Sequence, residues 1–275
     1  MELIVLGSSA SCPAPGDACS GYLVRHGATE VMLDCGSGVL SKLLLHTSVE
    51  ALSAIVISHF HPDHYLDLIT LRYGLRYGHP GAPKPLVLLP PGGIVHLRNV
   101  GMALRGTQDY FTANYRLEEY DPGRPVTVGE LKVGFERTAH DIPTWAISVK
   151  SPGGARMVYS ADTSPAKAVK DFATKADLFL CESTYPADAE GISTHNHLTS
   201  VDAATMASKA QVRQLVLTHF WPAFPRTRFK AEAEQVFGAP VGTAESGAHY
   251  CITHGAGFEV AAGSLIGNQP EASHA

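Results

Sequence analysis

The sequence lacks an excess of basic residues and any apolar run long enough to span a bilayer. Its 21 Lys and Arg face 26 Asp and Glu, which gives a formal net charge of −5. No global basic field attracts nucleic acid, so a large RNA substrate is disfavoured, although a local basic patch would escape this test. The first residues, Met1 to Gly7, have no basic leader and form too short an apolar run for a signal peptide. We therefore expect a protein that neither crosses a membrane nor enters the secretory route.

Cysteine pairs with metal-binding or redox spacing are also absent. The five cysteines are Cys12, Cys19, Cys35, Cys181 and Cys251. An odd number without Cys-x-x-Cys spacing predicts free thiols and a cytoplasmic protein. The sequence also has no low-complexity segment and no shift in composition, and its hydrophobic content of 45% suits one substantial core. We predict a single domain over residues 1–263 and a flexible polar tail over 264–275.

Histidine, in contrast, is abundant and clustered. Of the 14 histidines, three lie in the run His-Phe-His-Pro-Asp-His at 59–64, behind the apolar stretch Ala54–Ser58. Imidazole and carboxylate are ligands that suit zinc and similar divalent ions. The residue before a proline favours extended backbone, in which side chains two apart point the same way. His59 and His61 can therefore share one ion, while Asp63 and His64 can serve a second; a polar loop with surface histidines is the alternative.

One loop cannot complete two metal sites, so further ligands must come from other segments. His140, Asp162 and His219 each follow a predicted strand: Phe135–Ala139, Met157–Ala161 and Leu215–Thr218 respectively. Taken singly, each is more often a structural or surface residue. As a set at strand ends, they complement the first loop, and the carboxylate of Asp162 is suited to bridge two cations.

The chain alternates between strand and helix signals. Helices are predicted over Gly38–His46, from Tyr65 to about Tyr77, near Val201–Lys209 and over Lys230–Phe237. Buried strands are predicted at Ala54–Ser58, Leu86–Leu89, Asp177–Cys181 and Gln214–Thr218, and Phe258–Ala262 is a candidate closing strand. An antiparallel series is predicted over Arg116–Tyr120, Val126–Val128, Leu131–Arg137, Trp145–Lys150 and Arg156–Ser160.

The combination of the 59–64 motif with His140, Asp162 and His219 resembles the metallo-β-lactamase superfamily, from the first strand to His219. The resemblance implies an α/β fold, a four-layer αββα sandwich with a dinuclear metal site at the sheet edge. It further implies that His59, His61 and His140 hold one metal, that Asp63, His64 and His219 hold the other, and that Asp162 bridges. A metal-bridging hydroxide would then be the nucleophile, with Asp63 as a catalytic residue as well as a ligand.

Within that superfamily the chain resembles the ribonuclease Z branch. The matching segments are Tyr159–Pro165, Cys181–Thr184, Asn196–Ser200 and Leu217–Phe220. By this likeness His197 stabilises or protonates the phosphate and leaving group, and Glu182 orients and polarises His197. The alternatives are that His197 is one of several histidines on a loop and that Glu182 is structural. Asp34, at the end of an apolar strand, is expected to brace the metal loop through hydrogen bonds.

The resulting hypothesis is a dinuclear metal-dependent hydrolase that cleaves a small, nucleotide-type phosphodiester, a cyclic nucleotide being one example. Zinc is the expected ion, although manganese and iron also accept these ligands, and the resemblance implies a homodimer. The alternatives are a transfer RNA 3′-processing endonuclease, a lactone or acyl hydrolase, and a non-catalytic metal-binding module. No inserted basic arm for transfer RNA is apparent. Tyr73, Tyr77 and Trp221 are candidates to wall a pocket for a base, and Gly7–Ser11 is expected to form a tight turn lining the site.

Overall fold

Strands and helices alternate along the computed structural model, which describes residues 1–189, 196–255 and 260–261. The strands are β1 (Glu2–Ser9), β2 (Ala18–Cys19), β3 (Gly21–His26), β4 (Thr29–Leu33), β5 (Ala54–Val56), β6 (Leu86–Leu89), β7 (Arg116–Glu119), β8 (Val126–Val128), β9 (Leu131–Arg137), β10 (Trp145–Lys150), β11 (Arg156–Tyr159), β12 (Leu178–Glu182), β13 (Leu215–Thr218), β14 (Gly242–Thr243), β15 (His249–Cys251) and β16 (Val260–Ala261). The helices are α1 (Val39–Leu43), α2 (Pro62–Tyr65), α3 (Asp67–Tyr73), α4 (Gly93–Arg105), α5 (Lys167–Phe172), α6 (Ser200–Ala210) and α7 (Arg226–Phe237), with a 3₁₀ turn at Val49–Ala51 and a π turn at Gly74–Gly78.

The strands of the described ranges form two mixed sheets. The first sheet has the order β16-β15-β1-β3-β4-β5-β6-β7, with β2 beside β1, and the second has the order β14-β13-β12-β11-β10-β9-β8. Strands β4 to β7 run parallel to one another, as do β11 to β14. Because ligands bind outside the carboxyl ends of parallel strands, each sheet offers one edge for a site.

Side-chain alternation along the strands produces three cores. In β1, Leu3 and Val5 face the core between the two sheets, whereas Ile4 and Leu6 face the core beneath α1, α3 and α4. A third core packs the second sheet against α5, α6 and α7 through Val169, Ala203 and Phe229, among others. The order helix, sheet, sheet, helix is the αββα sandwich that the family resemblance implied. A strand buried on both faces needs apolar side chains at both odd and even positions, which explains the apolar runs Leu3–Leu6 in β1, Ala54–Val56 in β5 and Leu215–Leu217 in β13.

Several predicted elements require correction. Arg116–Tyr120 was placed wrongly in the antiparallel series: β7 pairs in parallel with β6, at the edge of the first sheet. The chain β6–α4–β7 is a crossover connection, which requires parallel strands, but the short polar strand carries no signal for its sheet. The remaining members of the series, β8 to β11, are antiparallel as predicted. Helix α1 is shorter than the predicted Gly38–His46.

The described residues test part of the predicted C-terminal segment and the expectation that no helix crosses a membrane. Of the predicted closing strand, the structure describes Val260–Ala261, which pair with β15. The predicted tail over 264–275 lies outside the described residues. Within the described ranges, no helix combines the length and the hydropathy needed to cross a membrane.

Candidate metal centre

The His59–His64 loop leaves the first sheet just after β5 and turns at Pro62. His61 has extended backbone angles, φ −70° and ψ 143°, which confirms the prediction made from the proline that follows it. The helix predicted from Tyr65 to about Tyr77 is divided into α2, α3 and the π turn. It also begins earlier than predicted, because Pro62 occupies the first position of α2, where a missing N–H costs nothing. Asp63 and His64 therefore lie in α2.

A glycine lets this loop pack closely against the end of β4. A Cβ at Gly36 would lie 1.9 Å from the carbonyl oxygen of Asp63, so no larger residue fits without moving the loop. The neighbouring Cys35 N–H donates to the carbonyl of His64 at 2.7 Å. The backbone of the loop is thus fixed from the side opposite the cleft.

Asp34 braces the loop through its side chain, as predicted. It is fully buried and has a left-handed backbone, with φ 58°. Its carboxylate accepts hydrogen bonds from the Ser58 N–H at 2.8 Å and the Ser58 hydroxyl at 2.9 Å, from Nδ1 of His64 at 2.8 Å and from the Tyr159 hydroxyl at 3.0 Å. Asp34 therefore orients the histidine ring from behind.

The seven residues proposed as ligands converge at one edge of the sandwich. Two groups of these residues have ligand atoms within 4.8 Å of one another: His59, His61, His140 and Asp162 in the first, and Asp63, His64 and His219 in the second. A third group that meets the same distance is Asp162, His197 and His219, which shares one residue with each of the first two. The carboxylate of Asp162 lies between the groups. Its oxygens are 3.4 to 3.8 Å from Nε2 of His59, His64, His140 and His219. Asp162 is thus within 4 Å of histidines from both groups.

Four of these histidines have their tautomer set by a partner behind the ring. The Nδ1 pairs are His59 with the Ser58 hydroxyl at 2.9 Å, His64 with Asp34 at 2.8 Å, His140 with the Asn196 carbonyl at 2.9 Å and His219 with the Thr184 hydroxyl at 2.9 Å. A carbonyl and a carboxylate only accept, and each hydroxyl already donates to a carboxylate. In the neutral form of each ring Nδ1 therefore carries the proton, which leaves Nε2 with a lone pair, as a metal ligand requires.

The donor set fits a divalent cation on a second ground, because several of these atoms are left without partners. Nε2 of His59, Nε2 of His64 and Oδ1 of Asp162 are buried and have no hydrogen-bond partner among the described residues. Each such atom costs about 1–3 kcal/mol when left unsatisfied. Three of them facing one another, all lone-pair donors, are explained by a cation in their midst.

The electrostatics of the cluster favour positive charge. Burial alone would lower the pKa of His64, but Asp162, Asp63 and Asp34 raise it well above its usual range. Burial would also raise the pKa of Asp63, yet His64 and His219 hold it well below normal. Asp63 and Asp162, whose pKa values are both held below normal by neighbouring histidines, therefore stay ionised. They need compensating charge, which bound cations would provide with release of the His64 proton.

Glu182 and His197 form a pair beside this cluster. Glu182 ends β12, is fully buried and accepts hydrogen bonds from Nδ1 of His197 at 3.0 Å, the Thr163 N–H at 2.8 Å and the Leu198 N–H at 3.0 Å. Burial lowers the pKa of His197, but the charge and hydrogen bond of Glu182 outweigh it and raise that pKa to about 9. His197 is therefore a cation at neutral pH.

A cleft of about 260 Å³ exposes the cluster to solvent. It is lined by Ser11, His61, Pro62, Asp63, Asp162 and His197. Tyr73, Tyr77 and Trp221, named as candidate pocket walls, are not in this lining: the two tyrosines stack on each other at 6.0 Å, and Trp221 packs on Tyr185 at 6.3 Å. The spacing of aromatic residues in a sequence does not indicate which side chains face a cleft.

Two contacts of the site were not assigned from the sequence. The backbone N–H of Ser11, at φ 61°, donates to Asp63 at 2.7 Å, which places the predicted Gly7–Ser11 turn at the cleft but adds a role for its last residue. Thr184 contacts Glu182, His197 and His219 through its hydroxyl. Its place two residues after Glu182 was the only available signal.

Comparison with known proteins shows the family and the fold of the chain. The family model described as a beta-lactamase superfamily domain matches residues 29–220. The probable metallo-hydrolase YhfI of Bacillus subtilis (strain 168) is 32% identical over 247 residues, covering 90% of this chain and 98% of that protein. Its crystal structure superimposes with a TM-score of 0.80 at 28% identity, over 90% of this chain and 98% of that one.

More distant relatives share most of the chain. Ribonuclease Z of Bradyrhizobium sp. (strain ORS 278) is 29% identical over 287 residues, which cover 86% of this chain and 95% of that enzyme. A diphosphatase of the PhnP family matches in structure with a TM-score of 0.72 at 17% identity, over 94% of this chain and 98% of that one, and so supports the fold alone. The chain therefore belongs to the β-lactamase superfamily and is a metallo-hydrolase with the metallo-β-lactamase fold.

Proposed function

We propose that the cleft hydrolyses a small, nucleotide-type phosphodiester with two divalent cations, zinc being the first candidate. One cation would be held by His59, His61 and His140, the other by Asp63, His64 and His219, with Asp162 shared. When bound, such cations supply Lewis acidity, which lowers the pKa of water and offsets charge on a phosphoryl oxygen. The observation that carries the proposal is that His197, held from behind by the buried Glu182, lines the same cleft as members of this donor set.

The other roles in the proposed reaction, which are proton donation and the orientation of the reacting groups, belong to residues of the chain. His197 is positively charged beside Glu182 and lines the cleft, so it donates a proton to the leaving oxygen. Glu182 holds the ring through Nδ1 and stabilises its charge. Asp63 lines the same cleft, held by the Ser11 N–H, and is placed to accept a hydrogen bond from the attacking water. A lactone hydrolase would not need this pair, which favours phosphodiester chemistry.

The charge of the cleft favours a small substrate with a single negative charge. The residues of its lining include no Lys or Arg, and the chain carries a net charge of −5. Proteins that grip polynucleotides use several Lys or Arg contacts to phosphates. The likeness to ribonuclease Z at 29% identity keeps trimming of transfer RNA as the second candidate, and the salt dependence of turnover separates the two.

The test is turnover of metal-analysed protein on a chromogenic phosphodiester, cyclic nucleotides, a lactone and precursor transfer RNA. We expect the small phosphodiesters to be the best substrates and their kcat/KM to change by less than about threefold between 50 and 200 mM salt, whereas six to ten phosphate contacts would cost roughly 10³–10⁵. Faster turnover of the lactone or of transfer RNA contradicts the proposal, and metal-loaded protein inactive on all four would favour a binding module.

Replacement of Asp34 by asparagine tests the brace behind His64. Asparagine tolerates the left-handed backbone, but its amide would face donors from Ser58, His64 and Tyr159 that now meet one carboxylate oxygen. We expect metal affinity in a chelator competition to fall by about 10- to 100-fold. Tyr159→Phe removes one of these donors only and should leave affinity near wild type. Unchanged affinity in Asp34→Asn would refute the bracing role.

A further inference from the structure

The hydroxyl of Thr184 lies at a junction between the two parts of the site. Thr184 is buried, and its Oγ is 2.8 Å from Oε2 of Glu182, 2.9 Å from Nδ1 of His219 and 3.2 Å from Nδ1 of His197. The backbone before it is held to the last residue of β13, because Ser183 N–H donates to the Thr218 carbonyl at 2.8 Å. Its position is therefore fixed by the sheet.

The polarity of these hydrogen bonds follows from the donor inventory. A carboxylate only accepts, so the Thr184 hydroxyl donates to Glu182, and the lone pair of its oxygen then accepts from Nδ1–H of His219. The other oxygen of Glu182 accepts from Nδ1 of His197. One chain thus runs from His219 through Thr184 and Glu182 to His197. These hydrogen bonds place the ring proton of both histidines on Nδ1. Nε2 of His219 then faces Asp63 at 3.2 Å and Asp162 at 3.5 Å.

We propose that Thr184 is a positioning residue that couples the metal-facing His219 to the His197–Glu182 pair; the role of His197 in this coupling rests on the function proposed above. Removal of the hydroxyl leaves two buried groups, Nδ1–H of His219 and Oε2 of Glu182, each short of one partner. Cation retention and proton donation are therefore set by the same side chain. The stacked rings of His197 and His219, with centroids 5.4 Å apart, would lose the hydroxyl that both of them contact.

The experiment uses Thr184→Val, which keeps the shape and removes the hydroxyl, and Thr184→Ser, which keeps the hydroxyl. For Thr184→Val we expect zinc affinity in a chelator competition to fall by about 10- to 100-fold. At saturating zinc, kcat should also fall by at least about tenfold while KM stays within about threefold, because Thr184 does not line the cleft. Thr184→Ser should restore both values to near wild type.

The matched control is Ser183→Ala, since the neighbouring Ser183 hydroxyl is buried and has no hydrogen-bond partner among the described residues. It should leave zinc affinity unchanged. If Thr184→Val does not fold, as judged by circular dichroism of the zinc-free protein, Thr184→Ala takes its place. Wild-type zinc affinity in the hydroxyl-free variant, or equal loss in Thr184→Ser, overturns the proposal. The competition needs no turnover, so it decides the link to His219 even if the wild type proves inactive on phosphodiesters.

Discussion

Asp162→Asn is expected to release both cations and to lower turnover by about 10³-fold or more, since metal ions supply several kcal/mol of charge stabilisation. Asparagine keeps the shape of the side chain. However, it removes the negative charge and replaces one oxygen by an N–H₂ group that has no lone pair for a cation. The oxygens of Asp162 lie within 3.8 Å of Nε2 atoms from both ligand groups, so both sites lose a shared ligand at once.

The measurement is zinc content after gel filtration, together with kcat at saturating zinc. Asp171→Asn is the matched control, because Asp171 lies on the exposed surface of α5; it should retain zinc and activity. His140→Ala removes a ligand from one group only and should leave about half of the bound zinc. Retention of two equivalents of zinc by Asp162→Asn would refute the bridging position.

The sequence predicts those parts of the site that depend on local backbone preferences or on the apolar pattern of a strand. Pro62 determines the backbone of His61, and Ala54–Ser58 is apolar on both faces, so the ligand loop and its strand can be recognised without tertiary information. His140 and His219 are recognised for another reason. Both follow strands, and strand ends that share an edge bring distant residues together.

The parts that the sequence could not predict depend on contacts between distant segments. Arg116–Glu119 is too short and too polar to indicate its sheet, and its pairing follows from the crossover with β6. Thr184 has no pattern of its own, because its significance comes from His219, 35 residues later. For Tyr73, helical spacing gives no direction relative to a cleft built by other loops. The sheet of Arg116–Glu119, the contacts of Thr184 and the direction of the Tyr73 side chain are all determined by packing between distant segments.

His197→Ala is the sharpest test of the chemistry, because it should separate proton donation from metal binding. The side chain of His197 is 19% exposed and is held by Glu182 through Nδ1, and its loss removes no residue of the two proposed ligand groups. We expect bound zinc near the wild-type level and turnover of a cyclic nucleotide reduced by about 10²-fold or more, the usual contribution of a positioned general acid.

The leaving group decides whether this loss reports proton transfer. A ribose hydroxyl leaves as a poor, strongly basic alkoxide unless it is protonated, whereas p-nitrophenolate leaves without help. The loss of turnover caused by His197→Ala should therefore be at least about tenfold smaller on a p-nitrophenyl phosphodiester than on a cyclic nucleotide. Glu182→Gln, which keeps an acceptor for Nδ1 but removes the charge that stabilises the imidazolium, should show the same preference with a smaller loss. Equal deficits on both substrates would mean that His197 binds the phosphate rather than protonates the leaving oxygen, and full activity would remove it from the mechanism.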